Sequence, residues 1–189
     1  MREIIVTEFI SLDGVVEAPG GEEGFKHTGW TFDIESDPTM YDYKFQETRE
    51  AGAQLLGRRT YEGFAAAWPG RDGDFADLFN SMPKYVVSTT LTDPAWNNSH
   101  VLGSLDDVAR IRQQDGGPLL VAGSATLVHG LYDAGLVDEW RLMVFPIALG
   151  SGKRLFGETT DATGLELTGC TQLSTGSLYL TYKAATVPA

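Results

Sequence analysis

Gln54-Leu55-Leu56-Gly57-Arg58-Arg59-Thr60-Tyr61-Glu62 runs from an apolar pair through a glycine into two arginines and a threonine. The leucines read as a short buried strand, and Thr60 opens a helix that reaches Trp68 and stops at Pro69. Glycine permits close backbone approach, and a helix start offers unbonded N–H groups. The threonine hydroxyl and the guanidinium groups add directed hydrogen bonds. A strand-to-helix junction of this kind suits a phosphorylated ligand, which points to a nucleotide-dependent enzyme. A solvated basic turn with Thr60 as N-cap accounts for the same tetrad.

The pattern repeats downstream. Pro118 to Ala122 reads as a strand, and Gly123-Ser124-Ala125-Thr126 turns it into a helix that ends near Ala134 at Gly135. Ser124 supplies a hydroxyl and Gly123 spares a side-chain clash at a second helix start; a capped helix after a buried strand explains this segment equally. The longer Gly-x-Gly-x-x-Gly fingerprint is absent.

Around these two junctions the chain alternates strands and helices. Ile4 to Ile10 predicts a buried strand followed by the turn Ser11-Leu12-Asp13-Gly14. Residues 17–29, with Pro19, Gly20, Gly21, Gly24 and Gly29, predict a surface loop placed as a lid. Asp37 and Pro38 open a helix through Met40, Tyr41, Phe45, Thr48 and Ala51, and Phe75 to Met82 forms another. Tyr85 to Ser88 is a strand, and Ser104 caps a helix through Ile111. Trp140 to Ile147 reads as a long strand, and Leu165 to Leu173 pairs with Ser177 to Lys183 around Thr175-Gly176. These last three strands are expected as antiparallel additions. One α/β domain over residues 1–189 follows, with ligands beyond the carboxyl ends of its strands.

Composition bounds the function. The 189 residues include 26 acidic against 14 basic side chains, a net charge of −12. So acidic a chain lacks the dense basic field that non-specific nucleic-acid binding needs, and its arginines act locally. The lone Cys170 forms no internal disulfide, which fits a reducing, cytoplasmic setting. Glu3 and Glu8 interrupt the apolar start, which reads as a strand and not as a signal peptide. No run approaches the roughly 18–20 apolar residues of a membrane span.

His27, His100 and His129 show no metal-ligand spacing with one another or with Cys170, so no metal is expected. Asp13, Glu17, Asp33 and Glu35 lie near loops where a partly desolvated carboxyl can move a proton, or where it is simply hydrated. Among Trp30, Phe32, Trp68 and Trp96, Trp30 follows the glycine-rich loop and is the candidate wall for a flat ring; aromatics also build cores.

Ser11-Leu12-Asp13-Gly14, Leu56-Gly57-Arg58-Arg59-Thr60-Tyr61-Glu62, Val87-Ser88-Thr89-Thr90 and Val121-Ala122-Gly123-Ser124 occur in this order. They resemble the dihydrofolate reductase-like superfamily. The closer match is its branch similar to the reductase domain of the bifunctional riboflavin-biosynthesis deaminase-reductase. Phe145-Pro146-Ile147-Ala148-Leu149-Gly150-Ser151-Gly152, followed by Leu155-Phe156, is similar to the segment before that branch's terminal hairpin. The resemblance spans nearly the whole chain. It implies a dihydrofolate reductase-like three-layer α/β/α fold, with a mixed, mostly parallel sheet and a C-terminal antiparallel hairpin.

The resemblance also implies NADPH as cofactor. Gly57, Arg58, Arg59 and Thr60 fall at its 2′-phosphate and pyrophosphate, and Ser88 and Thr89 beside the adenosine phosphate. Ala122, Gly123, Ser124, Ala125 and Thr126 match the pyrophosphate segment, where the family's adjacent glycines become Ala122-Gly123 here. Phe9 and Val16 match positions flanking the nicotinamide. The implied reaction is hydride transfer to a small heterocyclic or carbonyl-type substrate, similar to 5-amino-6-(5-phosphoribosylamino)uracil reductase. An NADP(H)-binding regulatory or catalytically weak protein, and a true dihydrofolate reductase, are the alternatives. Asp13 and Glu35 are the proton-donor candidates, Glu35 as a positional match to the folate-binding acid, and Trp30 is the substrate-binding candidate. No deaminase zinc motif occurs, and a homodimer is expected.

Overall fold

The computed structural model describes residues 1–34, 37–157 and 162–185. The apolar segment Ile4–Ser11 forms β1, buried along almost its whole length at the centre of an eight-stranded sheet. β2 (Ala53–Gly57), β3 (Lys84–Val87), β4 (Ser99–Leu102), β5 (Leu119–Ala122), β6 (Glu139–Phe145), β7 (Leu165–Gln172) and β8 (Leu178–Ala184) complete it in the order β4-β3-β2-β5-β1-β6-β8-β7. β1 pairs in parallel with β5 on one side and β6 on the other, and β5, β2, β3 and β4 continue in parallel. Only β8 and β7 run antiparallel.

One expectation is corrected, and one strand is added. The strand at Trp140 is no antiparallel addition: β6 pairs in parallel with β1 over seven residues and carries the hairpin on its far side. β4 was not anticipated, because Ser99-His100-Val101-Leu102 is a short, polar edge segment that buries only Leu102.

Alternation along β1 divides the core. Ile4, Val6 and Ile10 pack with Val108 of α4 (Leu105–Arg112) and with Ala125, Leu127, Val128 and Leu131 of α5 (Ala125–Asp133). Phe9 packs on the other face with Met40 of α1 (Pro38–Glu50), Trp30 and Phe145. On that face Leu56 and Val86 meet Tyr61 of α2 (Arg58–Ala67) and Phe79 of α3 (Asp74–Ser81). The result is the expected three-layer α/β/α arrangement.

The helix starts follow from local chemistry. Asp37 Oδ1 accepts from the Thr39 N–H at 2.9 Å, and its Oδ2 accepts from the Ser174 N–H at 2.9 Å. One carboxylate therefore caps α1 and ties it to the β7–β8 turn. Ser104 and Asp107 form a reciprocal capping box at α4. α2 and α5 have no side-chain cap.

Candidate functional site

Because β3, β2, β5 and β1 are parallel neighbours, the segments that leave their carboxyl ends lie side by side along one edge. This edge gathers Ser88, Gly57–Thr60, Ala122–Thr126 and the turn after β1. At its middle, Ser124 Oγ accepts from the Gly57 N–H at 2.9 Å and donates to Thr60 Oγ1 at 2.6 Å. A Cβ on Gly57 would stand 2.8 Å from Ser124 Oγ, so the position takes no side chain without displacing Ser124. Gly123 and Ser124 both have positive φ, 73° and 69°. A serine in that region carries backbone strain, offset here by its two hydroxyl bonds.

The clamp sets the starts of α2 and α5 together, and neither has a side-chain cap. No side chain occupies their first-turn N–H groups, which lie in the positive end of each helix dipole, an arrangement that can receive an anion. Arg58 is exposed and pairs with Glu62 at 3.2 Å, while the exposed Arg59 guanidinium makes no ion pair or hydrogen bond among the described residues. Ser88 Oγ accepts from the Thr90 and Leu91 N–H groups at 3.2 and 3.0 Å, turning the next loop and leaving Thr89 exposed. Phe9 is half-buried, and Val16 is buried in the α4/α5-side core.

Asp13 is an anchor. It accepts from the Ser11 hydroxyl at 2.6 Å and from the Leu149 and Gly150 N–H groups at 3.1 and 2.8 Å. The Ser11 bond, helped by those N–H groups, holds its carboxyl down at about 2. Its geometry ties the 11–16 turn to the 147–155 segment, and an acid that is ionised at neutral pH has no proton to give. Trp30 is 1% exposed, donates from Nε1 to Glu17 O at 2.9 Å and meets Phe145 edge-on at 5.4 Å. It packs as core and presents no open face. Glu35 lies outside the described residues.

Two features of β1 were missed. Glu8 is 3% exposed on the central strand, and its Oε1 has no hydrogen-bond partner among the described residues. Burial pushes its carboxyl up to about 8, against the opposing pull of Lys44 and the Gly123 N–H. The signal was in plain view, since an acid inside a β-branched strand either sits on an edge or is buried for a reason. On the opposite face, Thr7 donates to Glu47 Oε2 at 2.7 Å and accepts from Lys44. Lys44 Nζ is 3.1 Å from Glu47 Oε2 and lies over the Phe9 ring, and Tyr179 donates to Glu47 Oε1 at 2.9 Å. Burial, followed by the Glu47 charge, raises the Tyr179 hydroxyl above its ordinary value. Lys44 and Glu47 stand one turn apart on α1, a spacing that marks a helical ion pair without revealing what it faces.

Among the described residues no three His, Cys, Asp or Glu side chains cluster as a metal site, and no helix is long and apolar enough to cross a membrane.

Known proteins resemble this chain over nearly all of its length. Over residues 2–179 the chain matches the RibD C-terminal domain. It is 26% identical to the uncharacterised protein YyaP of Bacillus subtilis, covering 96% of this chain and 94% of that one. It is 28% identical to the uncharacterised YwjB of the same organism, over 90% and 92% of the two chains. Among solved structures it is similar to a Shewanella sp. PV-4 protein named for riboflavin biosynthesis, with a TM-score of 0.74, 22% identity and coverage of 98% and 99%. It is also similar to Enterococcus faecalis dihydrofolate reductase complexed with NADP(H), with a TM-score of 0.62, 17% identity and 96% of both chains covered. A pyrimidine reductase-like protein of Corynebacterium diphtheriae aligns with a TM-score of 0.63 at 15% identity, over 98% and 93%. At such identities the structural likeness is one of fold. The chain belongs to the RibD C-terminal domain family and has a dihydrofolate reductase-like fold.

Proposed function

We propose that this protein is an NADPH-dependent reductase of the riboflavin-reductase type, acting on a small heterocyclic or carbonyl-type substrate. The observation that carries the reading is the Gly57–Ser124–Thr60 clamp, which joins two uncapped helix starts beneath Arg58 and Arg59. Residues and cofactor fit: Gly57 and Gly123 leave room where a Cβ would strike Ser124 or Thr60. Arg58 and Arg59 would hold the 2′-phosphate, and Thr60 with Ala122, Gly123, Ser124, Ala125 and Thr126 the pyrophosphate. Ser88 and Thr89 would flank the adenosine end, and Phe9 and Val16 the nicotinamide. Family membership and the NADP(H) complex of the Enterococcus reductase support this assignment.

When bound, the dinucleotide supplies a hydride, and the protein supplies orientation. Thr7, Lys44, Glu47 and Tyr179 form a pre-arranged polar floor beside Phe9, on the α1 face where a substrate would lie against the nicotinamide. A proton must accompany the hydride; Asp13 is held ionised, so a water or another acid has to bring it. The protein is expected to act as a cytoplasmic homodimer, which a light-scattering mass near 20.5 kDa would contradict.

The test is a pair of dissociation constants. NADPH should bind about 100-fold more tightly than NADH, and Arg58→Ala should narrow that ratio by about tenfold, the value of a charge-assisted phosphate contact. Equal affinity for the two dinucleotides in the parent protein would overturn the reading. Tight NADPH binding with no turnover of carbonyl, pterin or pyrimidine compounds would favour a regulatory protein instead.

A further inference from the structure

Glu8 is a buried acid on the central strand, and the function proposed above does not employ it. β5 ends at Ala122, whose partner on β1 is Thr7, so Glu8 is the first residue of β1 beyond the end of β5. There the two central strands part, and Gly123 begins the phosphate-facing junction. Glu8 lies on the α5 side of the sheet with Ile4, Val6 and Ile10, and the Gly123 N–H faces its carboxyl. Its register partner on β6 is the apolar Leu142. The charged groups near it are Lys44 of α1, which favours ionisation, and Glu22 of the 17–29 loop, which opposes it. Its Oε1 is buried without a hydrogen-bond partner among the described residues. A carboxyl in such surroundings keeps its proton, and a neutral carboxylic acid is both a donor and an acceptor.

We propose that Glu8 is a cofactor-facing residue that works as a neutral acid: it accepts from the Gly123 N–H, its protonated oxygen is a donor toward a ligand bound at that junction, and a bound dinucleotide selects this form over the ionised one. The inference rests on the NADPH reading above. An ionised Glu8 would set a buried negative charge beside the site for a pyrophosphate, where the low dielectric magnifies repulsion. Linkage is reciprocal, so NADPH must in turn tighten the hold of Glu8 on its proton. Burial places the change of charge near pH 8, above the second ionisation of the 2′-phosphate at about pH 6. Lys84 titrates in the same range but sits at the far, N-terminal end of β3.

The experiment is the dissociation constant of NADPH between about pH 7 and pH 9.5, for the parent and for Glu8→Gln. The parent should weaken above about pH 8, approaching tenfold per pH unit. Glu8→Gln keeps the shape and a donor but cannot ionise; it should bind within about threefold of the parent at pH 7 and show no such slope. Any part played by Lys84 survives in the variant and is thereby separated. Calorimetry in two buffers of different ionisation enthalpy should count close to one proton taken up by the parent at about pH 9 and none by Glu8→Gln. A second measurement needs no variant: the infrared carboxylic-acid stretch of the parent should persist to higher pH with NADPH than without. A flat parent profile, an equal slope in Glu8→Gln, or an infrared midpoint unmoved by NADPH overturns the proposal while leaving the cofactor reading intact. Absence of saturable NADPH binding at every pH sinks both.

Discussion

Replacing Gly57 by alanine tests the clamp at its tightest point. The backbone there, at φ −80° and ψ 158°, accepts any residue. Through the unfolded chain alone the substitution would stabilise by about 0.4–1 kcal/mol. Against this, the new Cβ would lie 2.8 Å from Ser124 Oγ and 3.0 Å from Ser124 Cβ. Relief requires Ser124 to withdraw, which strains its bonds to the Gly57 N–H and to Thr60. Overpacking costs about 1–3 kcal/mol and each bond lost about 0.5–1.5 kcal/mol. The net expectation is a destabilisation of about 1–3 kcal/mol in urea unfolding, with NADPH affinity down by about tenfold as the helix starts separate. Ser124→Gly removes both obstructing atoms and suits the positive φ of that position. In the Ser124→Gly background Gly57→Ala should be close to neutral, a coupling of about 1–2 kcal/mol. The reasoning is refuted if Gly57→Ala is as stable as the parent, or if the two changes add to within about 0.5 kcal/mol.

The remaining predictions concern the affinities already described for Arg58→Ala and Glu8→Gln, and two polar anchors. The Ser174 hydroxyl, followed by that of Thr39, holds the Asp37 carboxyl well below its ordinary value. A depressed carboxylate stabilises the fold above its unfolded value and loses that contribution as pH falls, so Asp37→Asn should lower the urea midpoint at neutral pH and lose less on acidification below about pH 4. Lys84 is fully buried, donates to the carbonyls of Asn80, Met82 and Asn97 at 2.7, 2.8 and 3.1 Å, and lies 4.3 Å from the Trp96 ring centroid. Lys84→Met strands those acceptors and should cost about 2–4 kcal/mol in unfolding experiments. Burial lowers the Lys84 ammonium to about 8, so between there and its ordinary 10.5 the unfolded chain binds more protons. The parent should therefore gain stability with pH across that window, and Lys84→Met should not.

What could be read from the chain follows from how local each signal is. The junctions at Gly57 and Gly123 were legible because a strand, a glycine and a helix start are neighbours in sequence. Asp37 and Ser104 announced their helices through contacts within three residues. That Ser124 would hold Gly57 and Thr60 was invisible, because the partners lie 67 and 64 positions apart. The same distance problem hid the parallel pairing of β6, whose direction is set by α5 crossing over the sheet and not by any residue within it. Glu8 was noticed only as an interruption of an apolar start, since its neighbour Gly123 is distant in sequence, beyond the end of β5. Trp30 shows the reverse error: its place beside a glycine-rich loop suggested a wall for a flat ring, yet it is packed with Phe145 and Met143 of β6 in the core.

The position of β5 bears on how the molecule is made. β1 and β2 touch only through β5, which lies between them in the sheet yet follows both in the chain, after β3, β4 and four α-helices. On a ribosome β1 and β2 emerge unjoined, and neither can close the edge that faces the other until Leu119–Ala122 arrives. Such late insertion is a long-range pairing step, which makes folding slow and leaves strand edges open to neighbouring chains meanwhile. On the proposed cofactor reading, a dinucleotide held by both junctions would stabilise only chains whose central strand has already taken its place between β1 and β2.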